Sequence, residues 1–220
     1  MNIVTTRKRT ILIVEARRLL AELLARLLTE KLPEVEVSIA HSSAAANELL
    51  DRQPQDLALV GMQMTGCSGI TRLVEVKARS PRTRCLMLGD DANAAWVERA
   101  VKSGADGFVT KYCDAQEVVD AVRSILEGRR HFSQDVMNSV AAHRVFGSDE
   151  QPHRQLSARE FEVFVQLGEG KSLKGISHDL HLTPGTVSVH KHNIWKKTGL
   201  DSAARIARYC MEHGLVKGAA

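Results

Sequence analysis

Between residues 10 and 127 short apolar runs alternate with amphipathic stretches five times, and this alternation narrows the possible folds more than any other feature. The runs are TILIV at 10–14, VEVSIA at 35–40, DLALV at 56–60, RCLML at 84–88 and GFVT at 107–110. Each is too short for a stable helix, and most are almost unbroken apolar. Strands covered on both faces read this way, whereas strands with one wet face alternate. Helices are expected at Arg18–Lys31, Ser43–Asp51, Ile70–Arg79, Ala92–Ser103 and Ala115–Leu126. The first carries Leu19, Leu20, Leu23, Leu24, Leu27 and Leu28. Five βα units predict a doubly wound, five-stranded parallel sheet, with its functional groups at the carboxyl ends of the strands.

The second half changes character. After residue 153 every periodic stretch has helical spacing, and an all-α domain of four helices is expected. Ser157 with Glu160 three residues on spells a capping box, and Val163, Phe164 and Leu167 form the apolar stripe behind it. Gly168 and Gly170 end that helix. Ser172 opens the next, with Leu173, Ile176 and Leu180 inward. His181 and Leu182 alone separate it from Thr183, the spacing of a helix-turn-helix. Thr183–Pro184 is a helix start: the hydroxyl caps, and proline loses nothing at a position whose N–H has no intrahelical partner. The third helix, TPGTVSVHKHNIWKKT, puts Val187 and Ile194 inward and Ser188, Val189, His192 and Lys196 outward. It holds three lysines and no acid, and Gly199 ends it. Ser202 starts a fourth helix that runs to Gly214.

Charge follows the same division. The chain has 30 Lys and Arg against 26 Asp and Glu, a net of +4. From His153 onward there are ten basic and six acidic residues, so the whole surplus lies in the helical half. Surplus charge alone describes a solvated surface. Together with a helix-turn-helix pattern it describes a module that neutralises phosphates.

Leu156 to Val216 resembles the LuxR-type DNA-binding domain of NarL/FixJ response regulators, through LSARE, VFVQLGEGKS, ISHDLHLTPGTVSVHKHNIWKKTGL and RYCMEHGL. Gly175, where the family usually has an acid, and Thr198, where it has a large apolar residue, depart from the pattern. The resemblance implies binding to double-stranded DNA. Ser188, Val189 and His192 would face the bases. Thr183, Thr186, His190, Lys191 and Lys196 would touch the backbone, with Lys171 and Lys174 nearby. A homodimer is implied as well, through the small residues Ala203, Ala204 and Ala207 beside Arg208, so that two copies read half-sites with dyad symmetry.

The first half resembles a response-regulator receiver domain through ILIVEA, PQDLALVGMQMTGCSG, TRCLML and SGADGFVTK. A working receiver has two acids after the first strand and an aspartate after the third, which hold Mg²⁺ and accept a phosphoryl group. Here the acidic pair reads Glu15 and Ala16, and the acceptor position reads Gly61. The hydroxyl position after the fourth strand reads Gly89. Lys111, the family's phosphate-contacting lysine, is retained. Asp56 lies at the wrong end of its strand to replace the acceptor, while Asp90 and Asp91 lie on a loop that could reach inward. Lys111 is expected to pair with Glu15, and Arg17 to fill the emptied site.

Other chemistry is less well supported. His178, His181, His190 and His192 lie close in sequence, but His190 and His192 point to different helix faces, so no zinc site is expected. Ser157, Ser188 and Ser202 lack the His/Asp partners and strand-turn-helix elbow of a hydrolase. No cofactor is expected. No run of 18 apolar residues is present, and the opening MNIVTTRKRTILIVE lacks the apolar length of a signal peptide. Cys67, Cys85, Cys113 and Cys210 have no metal spacing and read as free thiols of a reducing cytoplasm. The expected division is a degenerate receiver at 1–127, a linker with a short helix at 128–153 in which GSDEQPHR is a flexible tether, and the DNA-binding domain at 154–220. The expected function is that of a DNA-binding transcription regulator working without aspartyl phosphorylation. The alternative is an adaptor that sequesters another response regulator through its receiver-like half.

Overall fold

The computed structural model describes residues 7–64, 66–146 and 151–216, with side chains omitted for 143–146. The first domain runs β1 (Arg9–Val14), α1 (Arg18–Lys31), β2 (Val35–Ala40), α2 (Ser43–Arg52), β3 (Leu57–Gly61), the short antiparallel pair β4 (Gln63–Met64) and β5 (Cys67–Ser68), and α3 (Gly69–Arg79). It continues through β6 (Arg84–Gly89), α4 (Ala94–Lys102), β7 (Gly107–Thr110), α5 (Ala115–Leu126), β8 (His131–Phe132) and α6 (Gln134–Phe146). The main sheet is parallel, in the order β2-β1-β3-β6-β7-β8.

Side-chain alternation along the strands builds two cores from one sheet. Ile11, Ile13, Leu57, Leu59, Leu86 and Leu88 pack under α1 and α5. Leu12, Val14, Ala58, Val60, Cys85 and Met87 pack under the helices of the other face. Both faces are dry, which is why these strands are continuously apolar.

The expected five strands become six. His131–Phe132 pairs in parallel with β7, through the registers Gly107↔His131 and Phe108↔Phe132. A two-residue strand inside the polar run GRRHFS carries no periodic signal, so only the tertiary pairing reveals it. Val136 of α6 is fully buried in the first domain's second core. The stretch after residue 127 therefore completes the sheet domain before any connection begins. Residues 147–150 of the expected tether lie outside the described residues. The rest of it is not loose: Pro152–Gln155 forms a 3₁₀ turn, and His153 is buried with its Nδ1 2.7 Å from the Tyr209 hydroxyl.

The helical domain comprises α7 (Ala158–Gly168), α8 (Leu173–Asp179), α9 (Pro184–Thr198) and α10 (Ala203–Glu212). Its core gathers Phe161, Phe164, Ile176, Val187, Ile194 and Ile206. Each helix is capped by the residue its sequence indicates. Ser157 accepts from the Glu160 N–H while Glu160 accepts from the Ser157 N–H, completing the capping box. Ser172, Thr183 and Ser202 accept from the amides of Gly175, Thr186 and Arg205. Gly199 ends α9 in the left-handed region, at φ +69°. His181, between α8 and α9, also has positive φ, at +50°.

The two domains touch. The Arg99 guanidinium of α4 lies 4.1 Å over the Phe161 ring of α7 and donates to the carbonyls of Leu156 and His153 at 2.7 and 2.9 Å. Trp96 meets Phe161 edge-on at 4.8 Å. Glu162 is buried, pairs with Arg159, and accepts from the Ser68 N–H and the Thr71 hydroxyl.

Candidate functional site

Two sites follow from this architecture. The first lies where the order of the sheet reverses, at the carboxyl ends of β1, β3, β6 and β7, the usual place for ligands in such sheets. The sheet gathers Glu15, Ala16, Gly61, Gly89 and Lys111 there. Gly61 is the last residue of β3 and Gly89 the last of β6, and the Lys111 N–H donates to the Gly89 carbonyl at 2.7 Å.

The positions without side chains are filled by neighbours. A Cβ on Gly61 would stand 2.3 Å from Glu15 Oε2, so the Glu15 carboxylate occupies the space of the missing side chain. A Cβ on Gly89 would stand 2.5 Å from the Phe108 ring, which closes the second gap. Lys111 Nζ lies 3.2 Å from Glu15 Oε2 and 3.3 Å from Asp90 Oδ1. Arg17 ties the rim, with its guanidinium 3.1 Å from both Asp90 Oδ1 and Gln63 Oε1, and its N–H donates to Glu15 Oε1 at 3.0 Å. The expected Glu15–Lys111 pair is present, and Asp90 reaches inward to Lys111. Arg17 stays at the half-exposed rim and does not fill the site, whose gaps Glu15 and Phe108 close, and Asp91 is exposed and accepts from the Asn93 N–H of its own loop. Phe108 and Gln63 were missed; both look like ordinary strand or turn residues, and only the assembled sheet brings them in.

This arrangement does not fit Mg²⁺. The ion takes six oxygens in tight octahedral order. Ala16 and Gly61 offer no side-chain oxygen, and the Glu15 carboxylate is already held by Lys111 and by the backbone N–H of Arg17. Among the described residues no group of three or more His, Cys, Asp or Glu stands where a metal could be held.

The second site is the outer face of α9. Val187 and Ile194 are fully buried and fix the helix on its domain. Ser188, His192 and Lys196 are exposed, and Val189 is 59% exposed. The contact between the domains therefore leaves this face open. Lys191 is half-buried, its Nζ 4.5 Å over the Trp195 ring, and His190 is half-buried beside it. The Ser188 hydroxyl donates to the Pro184 carbonyl at 3.0 Å, which leaves its lone pairs outward. Thr183 and Thr186 hold each other's hydroxyls at 2.9 Å. Lys174 is exposed, whereas Lys171 is matched by Asp179 at 2.9 Å and Glu169 at 3.2 Å. Among the described residues, Lys171 is the one expected contact held in ion pairs.

The four cysteines are free thiols, and burial pushes Cys85 and Cys210 up to about 12. Among the described residues no helix is long and apolar enough to cross a membrane.

Comparison with known proteins agrees with both halves. Residues 11–123 match the response regulator receiver domain, and residues 154–210 match the bacterial regulatory proteins of the luxR family. The Fimbriae Z protein of Salmonella typhimurium is 35% identical over 176 residues, 79% of this chain and 82% of that protein. Response regulator UvrY of Escherichia coli is 26% identical over 161 residues, covering 73% and 74%. A LuxR-family two-component response regulator from Aurantimonas superposes with a TM-score of 0.59 at 28% identity, over 63% of this chain and 99% of that one. RcsB of Salmonella enterica serovar Typhimurium, solved on promoter rprA, superposes with a TM-score of 0.66 over 92% of this chain and 98% of that one; at 19% identity this is a likeness of fold. The chain belongs to the response regulators that carry a luxR-type DNA-binding domain.

Proposed function

We propose that this response regulator binds duplex DNA as a homodimer and does so without aspartyl phosphorylation of its first domain. The observation that carries the reading is the Glu15 carboxylate, which lies in the space of a Gly61 side chain and holds Lys111 there. A glycine accepts no phosphoryl group, and the lysine that would meet one is already engaged.

On the DNA side, Ser188, Val189 and His192 read base edges. Val189 suits a thymine methyl, His192 donates or accepts, and Ser188, whose proton goes to the Pro184 carbonyl, accepts. Thr183, Thr186, His190, Lys191, Lys196 and Lys174 set register on the phosphates, with Lys171 more distant in role because of its acids. The exposed Ala203, Ala204 and Arg208 of α10 offer close approach to a twin. The reading places the protein in the cytoplasm, beside DNA. The open face of α9 favours it over an adaptor that only sequesters another regulator.

The test is intact-mass measurement after incubation with acetyl phosphate and Mg²⁺. The expected result is an unchanged mass. A stoichiometric phosphoryl adduct mapping to the first domain would overturn the phosphorylation-independent reading.

A further inference from the structure

The segment that leaves β3 at Gly61, where a receiver carries its acceptor, does not stay with its own domain. The pair β4 and β5 turns back around Gly66, at φ +82°, and Ser68 caps α3. From there the segment reaches the turn between α8 and α9. The His181 ring lies against Gly66, so that a Cβ on Gly66 would collide with His181 Cδ2. His181 holds φ +50°, a region costly for a residue with a side chain. Two residues later comes Thr183, the N-cap of α9. The conformation of His181 therefore helps to set the direction in which α9 leaves α8.

A chain of polar contacts holds the residue before it. The Ser68 N–H donates to Glu162 Oε1 at 2.9 Å, and the Thr71 hydroxyl donates to the same oxygen. The other Glu162 oxygen meets Arg159 Nη1 at 2.5 Å, and Arg159 Nη2 donates to the Leu180 carbonyl at 2.5 Å. The Glu162 side chain is only 2% exposed, so its charge depends on these donors. Leu180 is the C-cap of α8. The β6–α4 loop adds a second hold: the Asn93 side-chain amide donates to the Gly214 carbonyl, past the end of α10, at 2.5 Å. One hold would let the helical domain pivot, and two restrain it. None of these side chains belongs to α9.

We propose that Gly66, Thr71 and Glu162 are positioning residues for DNA binding: the segment after Gly61 props the turn at Leu180–His181 and so aims the reading face of α9. The proposal rests on the DNA-binding reading above and deepens it, giving the first domain a part in binding that needs no phosphoryl group. The prop stabilises a conformation that His181 disfavours on its own. His181→Gly needs no prop, because glycine takes positive φ freely. Losing the prop therefore matters only while His181 is in place.

Fluorescence anisotropy of the full chain on promoter fragments of its own genome, paired with amide hydrogen exchange without DNA, tests this. Gly66→Ala and Thr71→Val are each expected to weaken binding about tenfold. Both should also speed exchange of the Leu182 and Thr186 amides, which donate to the Ser177 carbonyl and the Thr183 hydroxyl. Added to His181→Gly, either substitution should change affinity by less than about twofold, since the two sites are coupled. If Gly66→Ala fails to fold, Thr71→Val carries the test. Wild-type affinity in the variants, faster exchange with no loss of affinity, or an equal loss in the His181→Gly background overturns the proposal. A wild type that binds no duplex counts against the function proposed above. In that case faster exchange in the variants still upholds the prop, and unchanged exchange overturns it.

Discussion

Glu15 and Lys111 face each other across the ends of β1 and β7, 3.2 Å apart, with side chains 0% and 6% exposed. Breaking a buried ion pair from one side is costly, because the remaining charge keeps its desolvation and loses its partner. Lys111→Met should destabilise the first domain by roughly 3 kcal/mol. Glu15→Gln with Lys111→Met should cost clearly less than Lys111→Met alone. Urea unfolding followed by far-ultraviolet circular dichroism measures both, and equal losses would show that the pair is not coupled.

The same geometry bears on restoring an acceptor. Gly61→Asp puts a Cβ 2.3 Å from Glu15 Oε2 and a second carboxylate beside the first. The expected outcome is a lowered melting temperature and no phosphoryl uptake from acetyl phosphate. Uptake with undiminished stability would show that Glu15 moves aside freely.

Position 175 is open to improvement. Gly175 sits inside α8 with ordinary backbone, and a Cβ there meets only the Ser172 hydroxyl, at 3.5 Å. Gly175→Ala should stabilise the helical domain by about 0.5–1 kcal/mol. Ser157→Ala, which removes half of the α7 capping box, should cost about 1 kcal/mol. Thermal melts of the two variants should shift in opposite directions.

Acid should loosen the helical domain through Glu160. Burial works against its charge, but hydrogen bonds from Lys197 and from Ser157 outweigh burial and hold the carboxyl below its ordinary 4.5. A carboxyl depressed in the folded state adds stability above its unfolded value and loses it as pH falls through the folded value. Stability should therefore fall below about pH 4.5, and Glu160→Gln should flatten that acid limb. Melting temperatures across a pH series settle the slope.

Lys196 and His192 separate affinity from sequence preference. Lys196→Ala should weaken binding to all duplexes and reduce the salt slope by about 1. His192→Ala should change which sequences are preferred and leave the slope nearly intact. Fluorescence anisotropy on several duplexes at several salt concentrations distinguishes the two.

Much of this molecule was legible in local pattern. The termini of α1, β2, β7, α5 and α9 follow from apolar runs, caps and the Pro184 and Gly199 signals, because those rules act within a few residues. Glu15, Gly61, Gly89 and Lys111 were legible as a group through the resemblance to a receiver domain, whose pocket positions they hold at the strand ends. The sixth strand was not, since His131 and Phe132 become a strand only by pairing with Gly107 and Phe108. The domain contact was hidden too. Arg99, Phe161 and Glu162 look like unremarkable helix residues until α4 and α7 meet. Nor did spacing show that Lys171 spends its charge on Asp179 and Glu169.

The most direct measurement is the binding of untreated protein to promoter fragments of its own genome, repeated after acetyl phosphate and Mg²⁺. The account predicts specific, salt-dependent binding before treatment and the same affinity afterwards. No binding before treatment and tight binding afterwards would contradict it.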